Sequence, residues 1–263
     1  MRYLRRRISV LVLVGLAAGS SPGRAAADPV PVRFAEGVVH GFLVLRTLDG
    51  TAIATGDLIQ VARGGRVTAR LVFRFNDGSL HDETAVFSQS GHFKLISDRV
   101  IQKGKTFKRP LEMSIDCVKG QVSVRYTEED GDVKTEVEQM EIPPDLSNGL
   151  MLTLLKNVRP GTPSAVSLIA ATPKPLLVKL EITSAGEEPF SFAGSARKAI
   201  HYVVHVNIGG IKGLLADILG KDPPDTHVWI LGGEAPAFVK AEGPLFPGGP
   251  SWRIELVAPV WKK

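Results

Sequence analysis

A glycine-containing turn signal returns every dozen or so residues through the first half of the chain, at Asp49-Gly50, Gly64-Gly65, Asn76-Asp77-Gly78, Ser90-Gly91, Lys103-Gly104, Lys119-Gly120 and Asp130-Gly131. This is hairpin punctuation, and it restricts the segment to short strands joined by tight turns. Between the turns, apolar residues alternate with polar ones. Val67, Ala69, Leu71, Phe73 and Phe75 share one face, while Thr68, Arg70 and Arg74 take the other. Leu111, Met113, Ile115 and Cys117 oppose Glu112, Ser114 and Asp116; Val122, Val124 and Tyr126 oppose Ser123, Arg125 and Thr127; Val133 and Val137 oppose Lys134, Glu136 and Glu138. One wet face and one dry face describe an antiparallel sheet.

The meander stops at Ile142-Pro143-Pro144-Asp145. Asp145 or Ser147 is placed to cap a helix carrying Leu146, Leu150, Met151, Leu154, Leu155 and Val158 on one side, ended by Arg159-Pro160-Gly161. Further strands follow, with Leu176, Val178, Leu180 and Ile182, then Ile200, Tyr202, Val204, Val206 and Ile208, facing inward. The period then changes: Ile211, Leu214, Leu215, Ile218 and Leu219 recur at helical spacing before Gly220 and Pro223-Pro224. Closing strands lie near 226–231, 235–242 and 252–258, with Trp252, Ile254 and Leu256 in the inward phase. The expected fold is all-β and mainly antiparallel: an open curved sheet or half-barrel of about 13 strands with two short helices. No long polar linker separates the meander (28–142) from the helix and closing strands (143–263), so 28–263 reads as one domain.

Residues 1–27 have the parts of a secretory signal: basic Arg5, Arg6 and Arg7, an apolar run from Ile8 to Ala18, and small Ala25, Ala26 and Ala27. Cleavage is expected after Ala27, giving a periplasmic or secreted bacterial protein. The apolar run is well short of the roughly 20 residues a membrane-spanning helix needs, and no later stretch is longer. These 27 residues hold five of the 32 basic residues and none of the 27 acidic ones, so the remainder is formally neutral. A nucleic-acid partner, which needs an excess of Lys and Arg on the folded chain, is excluded from the expectations. Cys117 is the sole cysteine, so no intramolecular disulfide forms and stability must come from packing.

Candidate chemistry is sparse. His201 and His205 share a strand face, but a spacing of four puts the rings about 13 Å apart, too far for joint metal ligation. They are kept as candidates for lining a ligand or sensing pH. His81 and Glu83 face the same way after a tight turn and read as solvated turn residues; an undetected hydrolase using them or a serine is the third functional alternative. Ser88-Gln89-Ser90-Gly91-His92 lacks the glycine elbow of a serine hydrolase, and the glycine pairs lack the spacing and lysine of a phosphate loop. Cys117 reads as a buried, inert thiol. The basic loop of Lys103, Lys105, Lys108 and Arg109 and the acidic hairpin of Glu128 to Glu138 read as solvated faces. No catalytic, cofactor or metal residues are assigned.

The order of parts resembles a family of exported bacterial proteins known as a domain of unknown function: a signal peptide, a long β-meander, a proline-led helix at Pro143-Pro144-Asp145-Leu146-Ser147-Asn148-Gly149, then Thr226-His227-Val228-Trp229-Ile230 and Pro236-Ala237-Phe238-Val239-Lys240. The resemblance implies an open, strongly curved sheet similar to the half-barrels of envelope lipoprotein carriers and sensors, and implies no catalytic residues. The helical segment around Leu214 to Leu219 is an addition to that pattern. Dry strand faces exceed what two short helices cover. The leading expectation is therefore a non-enzymatic protein binding a lipid or other apolar ligand, with Ile211, Leu214, Leu215, Ile218, His201 and His205 as ligand-facing candidates. The alternative is an envelope assembly or structural protein that meets a protein partner through sheet edges.

Overall fold

A computed structural model describes residues 29–128, 130–192, 194–207 and 223–257. In chain order the elements are β1 (Val39–Thr47), β2 (Ala52–Arg63), β3 (Arg66–Phe75), β4 (Leu80–Ser90), β5 (His92–Lys103), β6 (Leu111–Asp116), β7 (Gln121–Thr127), β8 (Val133–Gln139), α1 (Met151–Asn157), β9 (Ser164–Ala170), β10 (Leu176–Phe192), β11 (Ser195–Asn207), β12 (Thr226–Leu231), β13 (Ala237–Pro244) and β14 (Ser251–Leu256). All fourteen strands form one antiparallel sheet in the order β8-β7-β6-β5-β4-β3-β2-β1-β14-β13-β12-β11-β10-β9. Consecutive strands pair throughout except β8 and β9, and β1 also pairs with β14, with Leu43 opposite Leu256 and Thr47 opposite Trp252. The two ends, β8 and β9, do not pair with each other, so the sheet is open.

Its curvature follows from what the two arms touch in common. Strands β4 and β9 lie nine positions apart, which at about 4.8 Å per strand is about 43 Å on a flat sheet. Yet Asn148 bonds to Ile169 on β9, and the next residue, Gly149, lies against Ala85 on β4. Only a sheet curled back on itself brings both strands to consecutive residues. Register shifts at Leu45/Arg46, Val86/Phe87, Ser184/Gly186 and Trp229/Ile230 supply the local bends, since a bulge sharpens twist and kinks its strand. Gly56 on β2 leaves room for Phe73 across from it; a Cβ there would lie 2.6 Å from the ring.

The concave face holds the core. The alternation expected from sequence is present in β3, where Val67, Ala69, Phe73 and Phe75 are buried, and in β6 and β7, where Leu111, Met113, Ile115, Val122 and Val124 are. An aromatic group of Phe75, Phe107, Phe246 and Trp252 closes one end of the hollow, with Phe107 and Phe246 centroids 5.0 Å apart. In β8 the expectation fails. Val133 and Val137 are 55% and 56% exposed, because this terminal strand runs past the region that the opposite arm covers.

α1 spans seven residues, too few to persist alone, and it is held by contacts to both arms. Leu154 and Leu155 are buried. Thr153 Oγ1 accepts from Gln60 Nε2 of β2 at 3.1 Å, and Tyr202 of β11 donates its hydroxyl to the Val158 carbonyl at 3.0 Å. Asn157 Oδ1 accepts the Arg33 and Phe34 N–H groups, and Lys156 ion-pairs with the buried Glu36. The expected capping by Asp145 or Ser147 is not what occurs: the helix starts after Leu150 with no side-chain cap. Ser147 Oγ donates instead to the Ser167 carbonyl at 2.6 Å. Asp145 accepts from Ser167 Oγ at 2.9 Å and Lys179 Nζ at 2.7 Å. The second expected helix, residues 211–219, lies outside the described residues.

Candidate functional site

The curl leaves a cavity of 340 Å³ between the two arms and α1, within the range of small-molecule sites, about 300–1,000 Å³. One wall is Leu58 and Gln60 of β2, Ala69 and Leu71 of β3, and Glu83 and Ala85 of β4. The facing wall comes from β9 to β14, through residues such as Leu168, Val178, Leu180, Val204 and Ile254, while Met151, Leu152 and Thr153 of α1 and the turn around Phe246 complete the lining of a hollow that remains partly open. Glu83 is the sole ionisable side chain in this lining among the described residues.

Glu83 has a second carboxyl beside it. In the β4/β5 register Glu83 faces Val100 and Ala85 faces Asp98, so Glu83 and Asp98 are diagonal neighbours on the concave side. Both reach toward Gly149: a Cβ built on that glycine would lie 3.2 Å from Asp98 Oδ1 and 3.6 Å from Glu83 Oε1. Asp98 is 2% exposed, and neither of its side-chain oxygens has a hydrogen-bond partner. Burial pushes the Glu83 carboxyl up to about 7, against the opposing pull of the Gly149 N–H. Burial and the Glu83 charge together hold Asp98 well above the usual carboxylate range. A carboxyl taken out of water without a cation favours its neutral form.

His81, one inward position before Glu83, is 2% exposed, and its Nδ1 lies 3.3 Å from Gln102 Nε2. Burial pulls its imidazole down to about 4, so the ring is neutral near neutral pH. The expectation of solvated turn residues is therefore overturned for both His81 and Glu83. The turn ends at Ser79, and from Leu80 onward the odd-numbered residues His81, Glu83, Ala85 and Phe87 all point into the hollow. Cys117 is half-buried, and burial with the nearby Asp116 and Asp98 charges pushes its thiol up to about 11, which suppresses the reactive thiolate.

His201 and His205 stand elsewhere. Val204 and Val206 of β11 line the cavity, so the two histidines, in the opposite phase, lie on the convex face. His201 Nδ1 is 2.8 Å from Glu188 Oε1, and its Nε2 is 2.9 Å from His227 Nδ1. Its ring stacks on Trp229 at 4.3 Å, whose Nε1–H donates to Glu188 at 2.8 Å, and Lys240 Nζ sits 3.9 Å over the indole. His205 pairs separately with Asp225 at 2.8 Å. The four-residue spacing does keep His201 and His205 apart. Among the described residues no group of three His, Cys, Asp or Glu is placed to hold a metal. Ile211, Leu214, Leu215 and Ile218 lie outside the described residues. No family model, no curated protein and no solved structure matches the chain.

Proposed function

We propose that this protein binds an apolar, lipid-like molecule in the hollow of its curled sheet and catalyses no reaction on it. The observation that carries the reading is the cavity of 340 Å³ whose lining, apart from Glu83 and a few neutral polar side chains, is aliphatic and aromatic. A dry hollow of this size between two arms of a sheet is where an apolar ligand gains most from leaving water. The signal-like pattern of residues 1–27 supports an exported protein of the bacterial envelope, where such ligands are abundant.

Native mass spectrometry of the purified protein, followed by solvent extraction and lipid analysis, tests the reading. A stoichiometric added mass that extraction removes is the expected result. An unliganded mass together with no binding of a neutral aliphatic probe such as decanol overturns it. A second reading draws on the outer edge of β8, where Val133 and Val137 are exposed at the unpaired end of the sheet. That edge suits strand addition by a partner protein, and cross-linking from β8 that captures an envelope protein in place of lipid would favour it.

A further inference from the structure

We infer that the ligand of this cavity carries a protonated amine, and that the Glu83–Asp98 pair is its recognition element. This inference rests on the cavity being a ligand site and adds the chemistry of the ligand's polar end. A buried carboxyl and a half-buried one beside an apolar hollow are costly to the fold, and a charge held there without a counter-ion is costlier than one that is paired. The surrounding residues do not supply that counter-ion. Arg70 and Arg99, the cations of β3 and β5 that flank Thr84 next to Glu83, lie on the opposite face and are engaged by Asp82 and Glu112. Lys179 is held by Asp145. The polar inward neighbours on the pair's own strands are His81, with its neutral ring, and Gln102.

What faces the pair is therefore almost wholly neutral. The Gly149 N–H lies near Glu83 and the Arg99 N–H near Asp98, but the latter completes no hydrogen bond, and both side-chain oxygens of Asp98 stay without a partner at 2% exposure. Glu83 lines the cavity and Asp98 is its diagonal neighbour on β5, so a cation entering beside Glu83 meets two carboxyls at once and favours their ionised form. An ammonium on an aliphatic tail fits both requirements: the tail fills the dry hollow, and the head offers three N–H donors to acceptors that have few. A carboxylate head of the same length would be repelled. A hydroxyl head would gain one ordinary hydrogen bond.

The experiment compares decylamine, decanol and decanoate by titration calorimetry near neutral pH on the wild type, Glu83→Gln and Asp98→Asn. Wild type should bind decylamine about tenfold to a hundredfold more tightly than decanol, the range of one charge-assisted hydrogen bond over a neutral one, with decanoate weakest. Glu83→Gln should reduce the amine preference to less than about threefold while decanol binding changes by less than about twofold, which also shows that the variant is folded. Asp98→Asn should weaken the preference in the same direction and serves if Glu83→Gln does not fold. An amine that binds no better than decanol, or a preference that survives in both variants, overturns the inference and leaves the apolar-ligand reading standing. No binding of any of the three to wild type removes both.

Discussion

Replacing Glu83 by glutamine should make the protein more stable above neutral pH and leave it nearly unchanged in acid. The side chains have the same shape, so the substitution isolates the charge. In the folded protein burial raises the Glu83 carboxyl from 4.5 to about 7. A raised acid gives its full contribution to stability below its unfolded value, and that contribution is lost as pH rises through the folded value. At about 1.4 kcal/mol per pH unit, the wild type gives up about 3 kcal/mol between pH 4.5 and 7. Glutamine cannot ionise and gives up none of it.

The wild-type profile alone would hide this. His81 titrates in the opposite sense: its folded value is depressed from 6.5 to about 4, so its contribution is present above 6.5 and lost as pH falls toward 4. The two slopes overlap and nearly cancel between pH 4.5 and 6.5. The difference between variant and wild type removes His81 and the other groups that do not feel Glu83; Asp98, which the Glu83 charge also raises, is relieved with it and adds to the difference in the same direction. Urea unfolding at pH 4.5, 6, 7 and 8 reads it directly. With a urea dependence of about 1–3 kcal/mol per molar, the variant's midpoint should match wild type at pH 4.5 and exceed it by about 1 M or more at pH 8. A difference independent of pH, or a variant less stable than wild type at pH 8, would refute the argument that Glu83 sits uncompensated.

Two further substitutions test how the arms are joined. Gly149→Ala should cost about 3 kcal/mol in thermal or urea unfolding: φ is +67°, which costs an L-residue about 1–2 kcal/mol, and the new methyl would lie 2.5 Å from Ala85 Cβ. Adding Ala85→Gly should recover the packing part and leave the backbone part; a cost below about 1 kcal/mol for the single variant would contradict the close approach. Asn148→Ala removes both amide bonds to Ile169 and leaves two buried backbone groups unpaired, so it should cost about 2–4 kcal/mol and speed amide exchange at Ile169. An unchanged exchange rate at Ile169 would mean that the β9 edge does not depend on Asn148.

Much of the sheet was legible because each hairpin declares itself locally. A glycine turn and a period of two are short-range signals, and they located most of the strands, though β10 runs on to Phe192, beyond the stretch ending at Ile182 where alternation was read. The site was less legible for reasons that differ by residue. His81 and Glu83 shared the inward phase of Ala85 and Phe87 in plain view, but their polarity next to a turn argued for solvent. Asp98 was hidden by the register shift near Val86/Phe87, opposite Ile96. Phe93 and Leu95 are inward before it, and Asp98, Val100 and Gln102 after it, so strict alternation assigns Asp98 to the wrong face. Asp145 and Ser147 carried a capping pattern, yet an unpaired strand edge was a stronger competitor for their oxygens, and nothing local to the sequence places β9 beside them.

The segment Asp145 to Gly149 joins these observations. Leu146 makes a parallel bridge to Ser167, and Ser147 and Asn148 bond to the backbone of β9, so an edge that would otherwise be open to another chain is occupied. The same segment then delivers Gly149 to the carboxyl pair on β4 and β5. Edge protection, curvature and burial of the acids are thus one arrangement: anything that frees the segment from β9 also uncovers Glu83 and Asp98 to water. Asn148→Ala, which touches neither carboxyl, should on this argument lower the pH-dependent part of the Glu83→Gln effect when the two substitutions are combined, because a hydrated pair has less to gain from losing its charge. Full additivity of the two changes at pH 8 would show instead that the loop and the acids are independent.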